Sequence, residues 1–108
     1  MSNNTEMALA SFRKPYSCAQ TVYAAFAQML EPSKMELMQQ NSGGRAPENT
    51  CGALFAAMYL NPQKADEIKR AFVQQNGDFR CGELKRTLKV PCEVCVRTAC
   101  EIFEKSQM

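Results

Sequence analysis

Cysteines are the residues of this chain whose type and spacing could do chemistry. There are six of them, at Cys18, Cys51, Cys81, Cys92, Cys95 and Cys100. A cysteine sulfur that ionises can attack a disulfide or bind a soft metal ion. The chain contains no histidine, which excludes a Cys-His nucleophile pair, histidine-containing zinc sites and histidine-ligated haem. The chemistry that remains therefore depends on sulfur.

Four of the cysteines each fall in the first turn of a predicted helix. They are Cys18, Cys51, Cys81 and Cys92. A helix start presents unpaired N–H groups and a partial positive charge, which favour a thiolate over a thiol. These four are therefore the candidate redox thiols, and we expect them to ionise more easily than free cysteine. A glycine follows both Cys51 and Cys81, which leaves room for another group to approach the sulfur.

Pro91 introduces a Cys-x-x-Cys sequence at the start of the last predicted helix. This spacing places the sulfurs of Cys92 and Cys95 on one helix face, within reach of a disulfide or a shared metal ion. Cys95 is therefore a candidate partner of Cys92. The chain lacks the βαβ context of a thioredoxin-like motif, and Cys100 lies at the edge of the apolar stripe, where packing explains it.

Three functions remain open for these sulfurs. The first is dithiol/disulfide cycling or electron transfer with a thiol/disulfide partner protein, through pairs such as Cys18–Cys51 or Cys81–Cys92. The second is a four-thiolate site for zinc or an iron-sulfur cluster, built from the four helix-start cysteines. The third is a helical interaction module whose cysteines are buried and inert. No constellation for binding an organic substrate beside a general base is visible, so enzymatic activity is left open.

A second, weaker candidate site precedes the third predicted helix. Backbone N–H groups of Gly43 and Gly44, together with the Arg45 guanidinium, could hold an anion. The segment lacks the Lys-Ser/Thr ending of a phosphate-binding loop, and a plain turn is the favoured interpretation.

Composition limits the class of protein. The 108 residues suffice for one domain, with 45% hydrophobic and 22% charged residues. A formal net charge of +2 predicts neither a nucleic-acid partner nor an anionic membrane surface. No segment is typical of a signal peptide or a membrane span, so we expect a cytoplasmic protein.

The elements that must position the sulfurs are helices, because no segment alternates with period two. We predict an all-α bundle of about five or six helices around a central apolar helix, preceded by a loose arm at residues 1–12 and occupying residues 13–108 as one domain. The central helix is 51–60, and the others are 15–30, 34–40, 62–76, 81–88 and 91–104. Asp78 is the predicted N-cap of the 81–88 helix.

The sequence resembles the C-GCAxxG-C-C family, a group of bacterial and archaeal helical proteins to which a redox role is assigned. The resemblance covers residues 12 to 105. It is carried by Tyr16-Ser17-Cys18-Ala19-Gln20, by Gly43-Gly44-Arg45 before Thr50-Cys51-Gly52-Ala53-Leu54, by Arg80-Cys81 with Glu83-Leu84, and by Cys92 before Val96 and Glu101-Ile102-Phe103-Glu104. The resemblance implies redox or metal-thiolate chemistry at the four helix-start cysteines. The chain departs from the family motif at Ala56, where the motif has glycine.

Overall fold

The computed structural model describes residues 16–27, 31–42 and 46–106, and within them it is helical. The five longest helices are α1 (Cys18–Phe26), α2 (Pro32–Gln40), α3 (Gly52–Leu60), α4 (Ala65–Asn76) and α5 (Cys92–Ser106). Shorter helical segments are the 3-10 turns Pro47–Asn49 and Pro62–Lys64 and the π-helical segment Glu83–Thr87. These described residues form no strand; Thr50 and Arg80 are joined by an isolated antiparallel bridge. The predicted all-α bundle is confirmed, while the predicted arm at 1–12 lies outside the described residues.

Helix α3 is the centre of the bundle, as its apolar sequence predicts. It contacts α1, α4 and α5, and Ala53, Leu54, Ala56 and Ala57 are all fully buried. A helix without a polar face can only be stable when other helices surround it. Ala56, where the family motif has glycine, is accommodated within this core.

The ends of α1 and α4 are fixed by local sequence signals. Ser17 caps α1 through a reciprocal pair of hydrogen bonds with Gln20, the arrangement expected of a capping box. Helix α4 ends at Gly77, whose φ of +100° is a left-handed conformation that glycine adopts without steric cost. The end of α4 at Gly77 is as predicted, whereas α1 is shorter at both ends than the predicted helix 15–30.

Two other boundary predictions were wrong in detail. Helix α2 begins at Pro32, two residues before the predicted start at 34, because the missing N–H of proline is not needed at a first helical position. Asp78 does not cap the following helix. Its carboxylate accepts hydrogen bonds from the backbone N–H groups of Phe79 and Arg80 at 2.7 and 2.9 Å, so it stabilises the turn that precedes Cys81.

Within the described residues, none of the helices combines the length and the apolar character needed to cross a lipid bilayer.

Candidate functional site

Two segments of the chain share the pattern Cys-Gly-x-Leu, namely 51–54 and 81–84. They begin side by side in the fold. The residues just before them, Thr50 and Arg80, form the antiparallel bridge, and the backbone N–H of Cys51 donates to the Phe79 carbonyl at 2.8 Å. Leu54 and Leu84, the last residues of the two segments, are both buried in the core. This pairing brings Cys51 and Cys81, thirty residues apart in the chain, to the same place in the fold.

Five of the six cysteines line one small cavity, which we call the thiol cavity. Its lining comprises Cys18, Cys51, Cys81, Cys92 and Cys95, together with Leu84 and Lys85. The space within it is about 10 Å³, close to what one water molecule needs. The structure therefore brings together all four predicted helix-start cysteines and the predicted Cys-x-x-Cys partner Cys95. All six cysteines are free thiols in this structure.

All four helix-start positions are also as predicted. Cys18 and Cys92 are the first residues of α1 and α5. Cys51 is the N-cap of α3, and Cys81 opens the short helical segment that becomes π-helical at Glu83. Each of these four cysteines therefore lies at a helix start in the folded chain.

Cys51 and Cys95 form the inner pair of the cavity. Each residue is only 4% exposed, and hydrogen bonding to Cys95 contributes most to the raised pKa of Cys51. Both cysteines line the same small cavity. Cys95 therefore has two neighbours among the cysteines, Cys51 across the cavity and Cys92 one helical turn away.

Cys81 and Cys92 form the outer pair, and Lys85 connects them. Lys85 lines the cavity beside them, and its interactions with Cys92 and Cys81 raise the pKa of Lys85 above its ordinary value. Cys92 is half-buried and Lys85 is exposed, so this side of the cavity faces solvent. The positive charge of Lys85 favours the thiolate form of Cys81.

Cys18 is held against the backbone of α3. A Cβ atom added to Gly52 would lie 2.6 Å from the Cys18 sulfur and 2.9 Å from the Cα of Ser42. The glycine is therefore required by close packing, as its position after Cys51 predicted. Cys18 shares the cavity with Cys51, but the hydrogen-bond partner of Cys51 is Cys95.

The expectation that helix starts make these thiols easier to ionise is wrong for Cys51 and Cys81. The hydrogen bond with Cys95, followed by burial, raises the pKa of Cys51 well above its ordinary value, although the backbone N–H groups of Leu54 and Ala53 act in the opposite direction. Burial likewise raises the pKa of Cys81, against the lowering effect of Lys85. Removal of water from a thiolate thus outweighs the helix start here.

At α1 the amides of the helix start are already occupied. The N–H groups of Ala19 and Gln20 donate to the hydroxyls of Ser42 and Ser17 at 3.4 Å each. Ser42 also donates to the carbonyl of Met38 at 2.9 Å, which ties α2 to the first turn of α1. Hydroxyl groups therefore accept from these N–H groups, and the hydrogen bonds fix the position of the turn that carries Cys18.

Cys100 behaves as its position in the sequence predicts. It is fully buried in the core and does not line the thiol cavity. Burial, with Glu104 and Glu101 nearby, raises the pKa of its thiol to about 12. Such a thiol is inert near neutral pH and serves as an internal reference for the reactivity of the other five.

The predicted four-thiolate metal site does not fit this arrangement. Among the described residues, which include every cysteine, no group of three or more His, Cys, Asp or Glu side chains is placed to hold a metal ion. The Lys85 ammonium is hydrogen-bonded to two of the four proposed ligands. Zinc or an iron-sulfur cluster would have to displace this cation and gather sulfurs that line the cavity without converging on one point.

The weak anion-loop candidate, Gly43, Gly44 and Arg45, lies outside the described residues. Lys85, which lines the thiol cavity, is a residue that the sequence patterns above did not single out. A signal was present, because Lys85 follows Cys81 by four residues, the spacing that places two side chains on one face of a helix.

Comparison of the chain with family models, with curated proteins and with solved structures gives no match. The resemblance to the C-GCAxxG-C-C family therefore stays a prediction that rests on its own residues.

Proposed function

We propose that this is a thiol redox protein whose cavity cysteines cycle between dithiol and disulfide forms. The observation that supports the proposal is the meeting of five sulfurs, drawn from positions 18 to 95 of the chain, around one cavity. Independent packing choices would scatter five cysteines through the core, as Cys100 illustrates.

The outer pair is the one that reacts with a disulfide or an oxidant from solution. Cys92 is half-buried, Cys81 is buried but lines an open cleft, and Lys85 lies beside both. One thiolate attacks the incoming disulfide and forms a mixed disulfide; the other thiolate then displaces the second leaving thiol. Two electrons and two protons leave Cys81 and Cys92 for each disulfide formed. The reverse sequence reduces the protein, so a disulfide partner protein fits either direction.

The inner pair gives the site a second dithiol that can be oxidised. Cys51 and Cys95 are sealed from solvent, so an external reagent cannot reach them directly. A Cys81–Cys92 disulfide can exchange with them through the cavity that all four line, because thiol–disulfide exchange needs only direct approach of sulfur to sulfur.

The test is to oxidise the reduced protein with diamide, an oxidant without charge selectivity, and to map the products by peptide mass spectrometry without reduction. We expect two or four thiols to be lost, appearing as Cys81–Cys92 and Cys51–Cys95 links, while Cys100 stays reduced. Loss of fewer than two thiols, or links formed only between molecules, would contradict the proposal.

Single substitutions separate redox function from packing. Cys92→Ser should abolish the outer link, whereas Cys100→Ala, the matched control, should leave the linkage pattern unchanged and lower stability by about 1 kcal/mol. Cavity cysteines whose replacement alters stability alone would instead identify a helical interaction module with inert thiols.

A further inference from the structure

An open cleft lies next to the thiol cavity on the side of Cys81. Its volume is about 670 Å³, within the range of sites for small organic ligands. The cleft is bounded by Asn49 on one side and by the π-helical segment on the other. Cys81 lines both the cleft and the thiol cavity, so a ligand in the cleft lies beside this residue of the outer pair.

The charged side chains of the cleft are mostly basic. Arg80, Lys85 and Arg86 line it together with a single carboxylate, Glu83. Arg80 is already paired with Asp78, at 3.0 Å between Nη2 and Oδ2. Arg86 forms no ion pair with any residue in the described ranges 16–27, 31–42 and 46–106. Lys85 and Arg86 therefore outnumber Glu83, and the cleft attracts anions.

We propose that this cleft binds a small disulfide that carries carboxylate groups, and that such a compound is a substrate of the outer pair. The inference rests on the redox function proposed above and adds a substrate class to it. The size of the cleft argues for a substrate of many atoms, since hydrogen peroxide needs little more room than one water molecule.

The chemistry balances within the site. The Cys81 thiolate attacks one sulfur of the bound disulfide, so that a Cys81–substrate disulfide forms and one substrate thiolate leaves. The Cys92 thiolate then attacks Cys81, so that the Cys81–Cys92 disulfide forms and the second thiolate leaves. The two protons released by the protein thiols are taken up by the two leaving thiolates. One disulfide is reduced and one protein dithiol is oxidised.

Three probe disulfides of different charge test the proposal. They are glutathione disulfide, which is anionic, 2-hydroxyethyl disulfide, which is neutral, and cystamine, which is cationic. Rates of outer-pair oxidation are measured by quenched alkylation and divided by the rate of each probe with a free reference thiol. We expect a normalised preference of about tenfold for the anionic over the cationic probe at low salt, decreasing at high salt, in the range of charge steering.

Two variants localise the effect. Arg86→Gln should reduce the preference to about threefold, whereas Arg70→Gln, an equal charge change on the exposed face of α4, should leave it unchanged. Equal normalised rates for the three probes in the wild-type protein, at low salt, would overturn the inference while the redox function stands. Failure of every probe and of diamide to produce a Cys81–Cys92 link would overturn both.

Discussion

The two Cys-Gly-x-Leu segments share a sequence and a location but differ in their surroundings. In the first, Cys51 and Gly52 open α3, a regular helix enclosed by α1, α4 and α5. In the second, Cys81 and Gly82 open a short segment that becomes π-helical at Glu83 and is largely exposed. The inner sulfur hydrogen-bonds to another thiol, and the outer sulfur lies beside a lysine and an open cleft.

This comparison shows that neighbouring elements, more than the local motif, decide the chemistry of each sulfur. Both cysteines have raised pKa values, but the first-listed cause is the Cys95 hydrogen bond for Cys51 and burial for Cys81. Only Cys81 has a cation acting against burial. The shared Cys-Gly-x-Leu pattern thus places one cysteine beside another thiol and the other beside a lysine.

The largest expected difference between the segments concerns their glycines. A Cβ on Gly52 would lie 2.9 Å from the Cα of Ser42, whereas a Cβ on Gly82 would find nothing nearer than the Arg86 guanidinium at 3.5 Å. Gly52→Ala should therefore lower the free energy of unfolding by about 2 kcal/mol. Gly82→Ala, at ordinary helical angles, should raise it by up to about 1 kcal/mol. Urea titrations of the two variants measure both, and equal effects would contradict the asymmetry.

The sequence was sufficient for the helical bundle and for the cysteines of the cavity, although not for Lys85. Helical periodicity and the all-apolar 51–60 segment predicted the bundle and its central helix, because both signals are local. The gathering of Cys18, Cys51, Cys81 and Cys92 was predicted from their common position at helix starts. A sequence pattern can indicate such a cluster, because local capping signals mark the helix starts at which its cysteines lie.

The sequence was not sufficient for the environment of each thiol. Ionisation depends on how much water is removed and on which groups of other elements come near. Cys95 lies 44 residues after Cys51 in the chain, so their meeting brings α3 and α5 together in a way that no local pattern encodes. The desolvation of Cys81 likewise depends on packing that only the folded chain reveals.

A second prediction concerns the cation that distinguishes the outer pair. Lys85 lowers the pKa of Cys81, so Lys85→Met should move the pH profile of Cys81 alkylation to higher pH and slow the reaction at neutral pH. Arginine at this position should restore part of the effect, because it retains the charge. The measurement is the rate of iodoacetamide labelling at each cysteine between pH 6 and 10, by mass spectrometry.

The matched control for this prediction is Lys89→Met, which removes an exposed cation four residues farther along the chain. It should leave the Cys81 profile in place. Cys51 should stay unlabelled in every folded variant, since it is sealed from solvent. A Cys81 profile that is the same with and without Lys85 would show that the ammonium does not act on the outer pair.

The smallest expected effect concerns the turn that leads into the second segment. The hydrogen bonds from the Arg80 side chain lower the pKa of Asp78 to about 2, from 3.8. Because the folded-state pKa is below the unfolded value, the stabilisation is complete above about pH 4 and is lost as the pH falls through about 2. Asp78→Asn retains an oxygen that accepts from Phe79 and Arg80 but removes the charge. It should cost about 0.5 kcal/mol at pH 7, the scale of an exposed ion pair.

The difference between Asp78→Asn and the wild-type protein should shrink as urea titrations proceed from pH 5 to pH 2. Arg80→Gln, which removes the partner of the same contact, should show the same pH dependence, and the double variant should add little to either single change. A stability difference that stays constant down to pH 2 would show that the charge on Asp78 does not stabilise this turn. The turn that precedes Cys81 would then be held in place by the backbone bridge between Thr50 and Arg80, which joins the two segments.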